Sequence, residues 1–237
     1  MDIHVISQTC TRPEFVGTAV LDTIGLVIAA ADPALLEKMK LPAPFHSLGL
    51  FGSRTGAAGQ LTALDDAVKA TSTQVLSIEF PRDTKGWGGH GNYVVLGGSS
   101  VEDVREAIRM ALELTNKYAG ELYISQAGHL EFAYSASAGP VLEKAFGAVY
   151  GQAFGFMAGS PAPIGLVMAD TALKAAPVRL TRYMTPDEGT SHSNEVIAAF
   201  SGEAQGTKEA VLQGRQIGLE LLISMGSYPK IPGTPYL

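Results

Sequence analysis

The sequence reads Asp-Asp-Ala-Val-Lys-Ala from Asp65 and Asp-Thr-Ala-Leu-Lys-Ala from Asp170, so nearly the same segment occurs twice at a spacing of 105 residues. The same spacing aligns Phe80-Pro81 with Thr185-Pro186. After one single-residue deletion Gly98 aligns with Gly202, and after a second one Glu106-Ala107-Ile108 aligns with Glu209-Ala210-Val211. Two copies of one small domain in a single chain predict a pseudo-symmetric molecule. Such a molecule is suited to assembly with further copies of itself.

The length and composition agree with two domains and with burial of surface between chains. A chain of 237 residues divides at the repeat into two domains of roughly 110 to 120 residues, each large enough for its own core. The sequence is 46% hydrophobic and only 17% charged, which is apolar for a free monomer. The net charge of -6 and the lack of a Lys/Arg run argue against a nucleic acid or an anionic membrane as partner.

Cysteine usage and hydropathy indicate the compartment. Cys10 is the single cysteine, which excludes an intrachain disulfide and a cysteine metal site and suits a reducing cytosol. The longest apolar stretch, Ile24 to Ala31, has about eight residues, whereas a membrane-spanning helix needs ~20. The N-terminus also lacks the basic segment of a secretory signal. We therefore expect a soluble, intracellular protein.

Each copy is predicted to be an α/β (α+β) unit, a mostly antiparallel sheet flanked by helices. We expect strands at residues 19–30, 47–52, 73–80 and 92–96 of the first copy and at 129–135, 152–158, 178–184 and 195–200 of the second. Helices are expected at 32–38, 61–71 and from 101 onward, and at 140–146, 164–175 and 207–224. The chain is divided into an N-terminal arm (1–14), a first domain (15–122) and a second domain (123–237) ending in an extended tail from Tyr228.

A glycine-rich segment, Gly86 to Gly91, matches the G-x-G-x-x-G fingerprint of dinucleotide-binding proteins. That fingerprint works because its last glycine opens a helix whose N-terminus receives the pyrophosphate. Here the next segment, Asn92 to Leu96, has the pattern of a strand, which argues against a nucleotide cofactor. Glycine more simply lets this loop bend sharply, and around a symmetry axis such a loop would line a hole.

The five histidines, at positions 4, 46, 90, 129 and 192, do not form a metal-binding spacing. His129 lies on a strand on the same face as Glu131, and we interpret it as a satisfied, partly buried histidine. His90 and His192 occupy the equivalent loops of the two copies. Each could bind a small polar solute or be a solvated loop residue, and both readings stay open.

Catalytic residues are not evident. The sequence has no G-x-S-x-G nucleophile elbow, and Cys10 lies in the expected N-terminal arm. Adjacent carboxylates, at Asp65-Asp66 and Asp187-Glu188, point about 100° apart on a helix and are unsuited to an acid–base dyad. We interpret Asp65 and Asp66 as charges in the first turn of a helix, favoured by its dipole. The sequence therefore predicts no catalytic residue, no metal and no cofactor.

A set of segments along the chain carries a family resemblance: Phe15-Val-Gly-Thr-Ala19, Asp22-Thr-Ile-Gly-Leu-Val-Ile-Ala29, Gly52-Ser-Arg-Thr-Gly-Ala57, Asp66-Ala-Val-Lys-Ala-Thr71, Pro81-Arg-Asp-Thr-Lys-Gly86, Glu143-Lys-Ala-Phe-Gly147, Met168-Ala-Asp-Thr-Ala-Leu-Lys174 and Ser193-Asn-Glu-Val-Ile197. These segments resemble the PduB family of bacterial microcompartment (BMC) shell proteins and, through it, shell proteins of ethanol and ethanolamine utilisation. The resemblance runs from about Phe15 to the C-terminus, and several segments have six or more residues, so it is specific.

The resemblance implies a tandem pair of circularly permuted BMC domains that forms a homotrimer, a pseudo-hexamer, and tiles into sheets with other shell proteins. It implies a place in the microcompartment shell in the bacterial cytoplasm, and no catalysis. It also implies pores for small alcohols, diols or glycerol. The alternative from another class is a soluble trimer that binds or senses a small molecule without tiling. An enzyme that uses the glycine-rich loop ranks third.

The resemblance further implies two sets of site residues. Loops near a central pore comprise Lys85, Gly86, Trp87, Gly88, Gly89, His90, Glu188, Gly189, Thr190, Ser191 and His192. A smaller pore between the domains of a subunit, where solute binds, comprises Ser53, Arg54, Thr55, Asn92, Asn194 and Glu195. In the ethanolamine-utilisation relatives, an acid seven residues before the strand-ending glycine helps to bind solute, but here that position holds Gly91 in the first copy and Glu195 in the second. The loop Ser53–Gly56 stands where the relatives carry another solute-binding acid.

Overall fold

The computed structural model describes residues 10–41, 45–82 and 90–237. Its first half contains β1 (Phe15–Ala19), β2 (Thr23–Ile28), α1 (Pro33–Met39), β3 (Ser47–Ser53), α2 (Ala58–Ala70), β4 (Thr73–Glu79), β5 (Asn92–Gly98) and α3 (Val101–Tyr118). A single 3-10 turn (Ala119–Glu121) leads to the second half, which contains β6 (Leu122–Ile124), β7 (His129–Ser135), α4 (Pro140–Phe146), β8 (Ala153–Ser160), α5 (Ala162–Ala175), β9 (Arg179–Met184), β10 (Val196–Gly202) and α6 (Ala204–Ser224).

Each half holds one five-stranded antiparallel sheet, and the two sheets have the same topology. The strand order is β1-β2-β3-β5-β4 in the first sheet and β6-β7-β8-β10-β9 in the second. Helix α3 packs on β1, β2 and β3, and its counterpart α6 packs on β7 and β8. The predicted fold class, two repeated antiparallel units flanked by helices, is confirmed.

Helix α3 shows how the sequence specifies local structure. Val104, Ile108 and Leu112 recur at every fourth position and are buried. Ser100 precedes the helix, and its hydroxyl accepts a hydrogen bond from Asp103 N at 3.1 Å. This side chain satisfies one of the N–H groups that a helix start leaves unbonded.

The single strand expected at residues 19–30 is wrong, because the structure has a hairpin there. β1 and β2 pair antiparallel, and the turn between them places Leu21 and Asp22 at φ values of 63° and 53°. Thr23 Oγ1 stabilises the turn by donating to Val20 O at 2.7 Å. Non-glycine residues seldom adopt positive φ, so the sequence carries no glycine or proline signal for this turn.

The second sheet begins with the short strand β6, which the sequence pattern did not indicate. Ile124 of this strand exchanges two backbone hydrogen bonds with Lys230 of the C-terminal tail. The tail is extended, as expected, but its end is anchored on its own chain. The N–H groups of Tyr236 and Leu237 donate to the buried Glu121 carboxylate at 2.7 and 2.9 Å.

One hydrophobic core runs through both domains. Leu61 and Leu64 of α2 belong to the same buried cluster as Leu142 and Phe146 of α4. Phe146 stacks on Phe80, just after β4, with 5.5 Å between ring centroids. Helix α4 of the second domain therefore packs on the first domain, and separating the domains would expose apolar surface to water.

Two buried carboxylates cross the domain boundary in opposite directions. Glu131 on β7 accepts hydrogen bonds from Ala58 N at 2.8 Å and from the preceding N–H at 3.0 Å, where α2 begins. Asp65 on α2 accepts from Gly139 N at 2.8 Å and Val141 N at 2.9 Å, where α4 begins. Each carboxylate binds N–H groups that a helix start leaves unbonded, and the helix dipole favours its charge.

The interpretation of Asp65 and Asp66 as first-turn charges is wrong. Helix α2 begins at Ala58, so both residues lie in its second half. Asp65 is fully buried and faces the start of α4, while Asp66 accepts a hydrogen bond from Tyr118 OH at 2.6 Å. Burial raises the pKa of Asp65 above its ordinary value, although Lys69 and the backbone N–H donors act in the opposite direction.

We expect Asp65→Ala to lower the free energy of unfolding by about 2–4 kcal/mol, because the substitution leaves the N–H groups at the start of α4 without their buried acceptor. Glu131→Gln is expected to cost about 1–3 kcal/mol for the same reason at α2. The measurement is urea unfolding at fixed protein concentration.

The matched control is Glu113→Gln, which removes an exposed carboxylate that pairs with Arg109. This change should stay within about 0.5 kcal/mol of the parent chain. If Asp65→Ala is no more destabilising than the control, the carboxylate does not hold the domains together.

Candidate functional site

A group of buried polar residues lies where the two domains meet, and we name it the interdomain polar cluster. Its members come from the β3–α2 loop, the start of α2, the start of β5, strand β7 and the segment before β10. They are Ser53, Thr55, Gln60, His90, Asn92, His129, Glu131, Ser193 and Glu195, and all are buried. A set of this size in an apolar surrounding needs internal hydrogen bonds, because an unpaired buried polar group is costly.

Glu195 is the centre of one half of the cluster. Its Oε1 is 2.6 Å from His90 Nδ1 and accepts a hydrogen bond from Ser193 Oγ at 2.6 Å. Its Oε2 is 3.1 Å from His129 Nε2. His90 belongs to the first domain and the other three residues to the second, so this group joins the two domains through one carboxylate.

The charges within this group support each other. Burial opposes ionisation of Glu195, but hydrogen bonds and charge from His129 and His90 hold the pKa of Glu195 far below its ordinary value. Burial likewise opposes protonation of His90. The hydrogen bond that His90 donates to Glu195, together with the negative charges of Glu195 and Glu131, outweighs burial and raises the pKa of His90 above its ordinary value of 6.5.

The other half of the cluster is built from neutral groups around Ser53. Ser53 Oγ accepts hydrogen bonds from Asn92 Nδ2 at 2.7 Å and Gln60 Nε2 at 3.3 Å, and it donates to Thr55 O at 3.0 Å. Within the described residues, four buried side-chain atoms of the cluster have no hydrogen-bond partner: Thr55 Oγ1, Gln60 Oε1, Asn92 Oδ1 and His90 Nε2. These atoms give the cluster hydrogen-bonding capacity that the described part of the chain does not use.

The loss of the acid at Gly91 has a steric cause. A Cβ atom at this position would collide with the backbone carbonyl oxygen of Ser53 and lie 3.0 Å from the carbonyl carbon of Arg54. Backbone atoms cannot swing aside as a side-chain end can, so the first copy has no room for a glutamate here. Of the two aligned positions, only Glu195 of the second copy therefore supplies a carboxylate to the cluster.

The remaining residues of the proposed subunit pore lie at the margin of the cluster. Ser53, Thr55, Asn92 and Glu195 come together as described. Asn194 is exposed, and its Oδ1 accepts a hydrogen bond from Ala162 N at 3.1 Å at the start of α5. Arg54 is exposed beside the buried loop.

The loops assigned to a central pore divide into three groups. Lys85, Gly86, Trp87, Gly88 and Gly89 lie outside the described residues. His90 is buried against Glu195, which places it in the interdomain polar cluster. Of the second loop, Thr190 is buried, whereas the others are exposed: Glu188, Gly189, Ser191 and His192.

The second loop contacts the end of β4 in the first domain. Ser191 Oγ donates to Phe80 O at 3.1 Å, and Arg82 Nη1 donates to His192 O at 3.3 Å. Thr190 Oγ1 closes the loop internally by donating to Thr185 O at 2.9 Å. The second loop therefore packs against residues 80–82 of the first domain, at one end of the domain boundary.

Sequence reasoning missed three members of the cluster. Gln60 is fully buried near the start of α2, in a stretch otherwise made of small and apolar residues. Glu131 was noted only as a neighbour of His129, and Ser193 only as part of a family segment. The presence of an amide at Gln60 and of an acid at Glu131 within otherwise apolar segments is the feature of the sequence that could have indicated these two residues. His129 itself was interpreted correctly as a buried, satisfied histidine, although its partner is Glu195.

Two features are absent from residues 10–41, 45–82 and 90–237. No group of three or more His, Cys, Asp or Glu side chains in this part of the chain could hold a metal ion. None of the helices described here is long and apolar enough to cross a membrane.

The repeated fold corresponds to a known domain family. Residues 47–127 and 153–231 match the BMC domain, once in each half of the chain. The chain therefore belongs to the BMC domain family, as a tandem-domain member.

Similar proteins define the type of BMC protein further. The bacterial microcompartment shell protein PduB of Citrobacter freundii is 49% identical over 230 residues, which cover 97% of this chain and 85% of that protein. A crystal structure of a trimeric bacterial microcompartment shell protein PduB has a TM-score of 0.92 and 41% identity, covering 95% of this chain and all of the other. EtuB from Clostridium kluyveri has a TM-score of 0.92 and 45% identity, covering 96% of this chain and all of the other. The resemblance to the PduB family is confirmed, and it places the chain in the microcompartment shell.

We expect the stability of the protein to fall as the pH rises above about 6.5, and this slope to be reduced in His90→Gln. Because the pKa of His90 is raised in the folded chain, its contribution is fully present below 6.5 and is lost as the pH rises through the folded pKa. Because the pKa of Glu195 is lowered, its contribution is present above 4.5 and is lost only as the pH falls through its folded pKa. Urea unfolding at a series of pH values measures both limits.

His192→Gln is the matched control, since His192 is exposed and its side chain makes no hydrogen bond within the described residues. Its pH profile should follow that of the parent chain. An unchanged alkaline slope in His90→Gln would show that His90 does not carry the proton.

Proposed function

We propose that this chain forms a homotrimeric, pseudo-hexameric tile of the microcompartment shell, in which the interdomain polar cluster binds small alcohols, diols or glycerol on their way through the subunit. The trimer is supported by the solved PduB relative, which is described as trimeric and is 41% identical. The fixed arrangement of the two domains is supported by their shared core and by the two carboxylates that cross the boundary.

The observation that carries the solute proposal is the set of four unpartnered polar atoms. Gln60 Oε1 and Asn92 Oδ1 accept hydrogen bonds, Thr55 Oγ1 can donate or accept, and His90 Nε2 donates when the ring is protonated. A hydroxyl group both donates and accepts, so a small molecule with two or three hydroxyls matches this mixture. Glu195 is held by two histidines, which leaves it poorly placed to bind a cationic solute.

The cluster is better suited to binding than to acid–base catalysis. Ser193 donates to Glu195 and not to a histidine, so the hydrogen bond that would activate a serine nucleophile is missing. The hydrogen bond with Glu195 and the nearby carboxylate charges raise the pKa of His90 and so favour its protonated form, which cannot act as a general base. We propose a structural and transport role without catalysis.

The proposed central pore involves the loop Glu188–His192 and its equivalent in the first copy, Lys85–Gly89, around the three-fold axis. The contacts between the second loop and the end of β4 support a position where loops of both copies meet. Alternate positions around such an axis can carry different side chains, since three-fold symmetry relates only every second domain.

Solute binding is tested by titrating the protein with 1,2-propanediol, glycerol and ethanol and following amide chemical shifts by NMR. We expect millimolar binding of the diol and of glycerol, and at least a tenfold weaker association for Asn92→Leu, because leucine fills the same space without an acceptor. Gln216→Met is the control, since Gln216 is an exposed amide on α6. Equal affinities in the parent chain and Asn92→Leu would place solute binding elsewhere.

Tiling is tested separately by sedimentation and negative-stain microscopy of the purified chain, alone and with other shell proteins. The proposal expects a trimer that further associates into sheets. A trimer that binds diols but never forms or joins sheets would favour the soluble binding protein instead.

A further inference from the structure

Equivalent helices of the two domains have unequal surroundings. Helices α2 and α5 correspond at the 105-residue spacing, and α2 is covered by α4. Leu61 and Val68 of α2 are 0% and 5% exposed, whereas their counterparts Leu166 and Leu173 of α5 are 52% and 38% exposed. Within the described residues, α5 thus presents an apolar face that its counterpart buries.

The counterpart of α4 is α1, and it lacks the corresponding cover. Both helices have seven residues, begin with proline and end at a residue with positive φ, Lys40 at 50° and Gly147 at 65°. Leu142 of α4 is fully buried on α2, but the aligned Leu35 of α1 is 46% exposed. No residue of α1 is buried. Within the described residues, α1 therefore has no helix to pack against in the way that α4 packs on α2, and α5 has no helix packed on its apolar face.

We infer that α1 of one chain docks on α5 of a second copy, as α4 docks on α2 within the chain, and that Lys174 pairs there with the partner subunit's Asp32. This inference rests on the proposed trimer and names one contact that holds it together. Docking of a first domain on the second domain of the next chain is a head-to-tail contact, which generates a ring when the rotation between successive subunits closes, as the proposed trimer requires.

The charges of the internal contact supply the argument for the ion pair. Lys69 Nζ lies 3.2 Å from Asp65 and 2.8 Å from Asp66, so one ammonium group holds two carboxylates of its own helix. On α5 the first acid and the lysine are kept, and Lys174 Nζ lies 2.6 Å from Asp170. The position of the second acid, however, is Thr171. Lys174 has one carboxylate fewer than its counterpart.

A second carboxylate for Lys174 is available next to α1, the helix that we infer to dock on α5. Gly139 precedes α4, and a Cβ atom there would lie 2.7 Å from Lys69 Cδ and 2.9 Å from Asp65 Oδ1. A side chain at this position is therefore next to the lysine. The aligned residue before α1 is Asp32. The exposed side chain of Lys174 can move to admit it, since a lysine stem is flexible.

Asp32 also explains why Asp170 need not repeat the role of Asp65. Asp32 Oδ1 accepts a hydrogen bond from Ala34 N at 2.8 Å and so caps its own helix. Asp170 is then free to stay with Lys174. The same number of charges, two acids and one lysine, serves both contacts, but in the second contact one acid belongs to the other chain.

The experiment compares the association constants of the trimer by sedimentation equilibrium at low and high salt. Asp32→Asn is expected to weaken trimer formation about tenfold at low salt, because three ion pairs of modest strength are lost while asparagine keeps the helix cap. This difference should shrink at 1 M salt. Asp32→Lys and Lys174→Asp should each weaken assembly further, and the double variant should recover most of the loss.

Glu37→Gln is the matched control on the same helix, since the aligned Lys144 stays exposed in the internal contact. It should leave the association constant unchanged. Tighter assembly of Asp32→Asn, or no recovery in the double variant, would overturn the ion pair, because repulsion from Asp170 would then dominate. A parent chain that remains monomeric would instead overturn the proposed trimer, which is a different result.

Discussion

Two buried carboxylates, each bound to the start of a helix in the other domain, are the constraint on which the rest of the molecule depends. A buried carboxylate needs several hydrogen-bond donors, and the first turn of a helix offers them in fixed directions. Glu131 is therefore tied to α2, and Asp65 to α4. Because the two ties run in opposite directions, the domains cannot rotate against each other without breaking the hydrogen bonds of one carboxylate to the start of a helix. This fixed arrangement brings His90 of one domain against Glu195 of the other.

The same constraint explains why a polar cluster can exist inside an apolar boundary. Its charged half is self-contained, since Glu195 is shared by His90, His129 and Ser193. Its neutral half, around Ser53, has unpaired polar atoms when only the described residues are considered. The proposed site would recognise a solute by hydrogen bonds and shape, because the charges of the cluster are already paired with each other. Such a preference suits small neutral molecules better than ions.

The repeat, the two sheets and most element positions could be predicted from the sequence, because periodic patterns such as Val104, Ile108 and Leu112 report local structure directly. The family resemblance added the domain type. What could not be predicted depends on partners distant along the chain. From the sequence alone, Asp65 has the pattern of an acid in the first turn of a helix. Its actual partner, the start of α4, is more than 70 residues away along the chain and is brought to it only by the fold. The turn at Leu21 had no signal, because its residues adopt a conformation that their types rarely show.

The close packing of Gly91 against the β3–α2 loop restricts which residues this position can hold. Its Cα faces the backbone of Ser53 with no space for a side chain, so the first copy cannot regain an acid at this position by one substitution. Restoring it would need a simultaneous shift of the β3–α2 loop, which also carries the start of the helix bound by Glu131. In this packing the two copies of the repeat therefore cannot carry equal acidic sites, although their folds are the same.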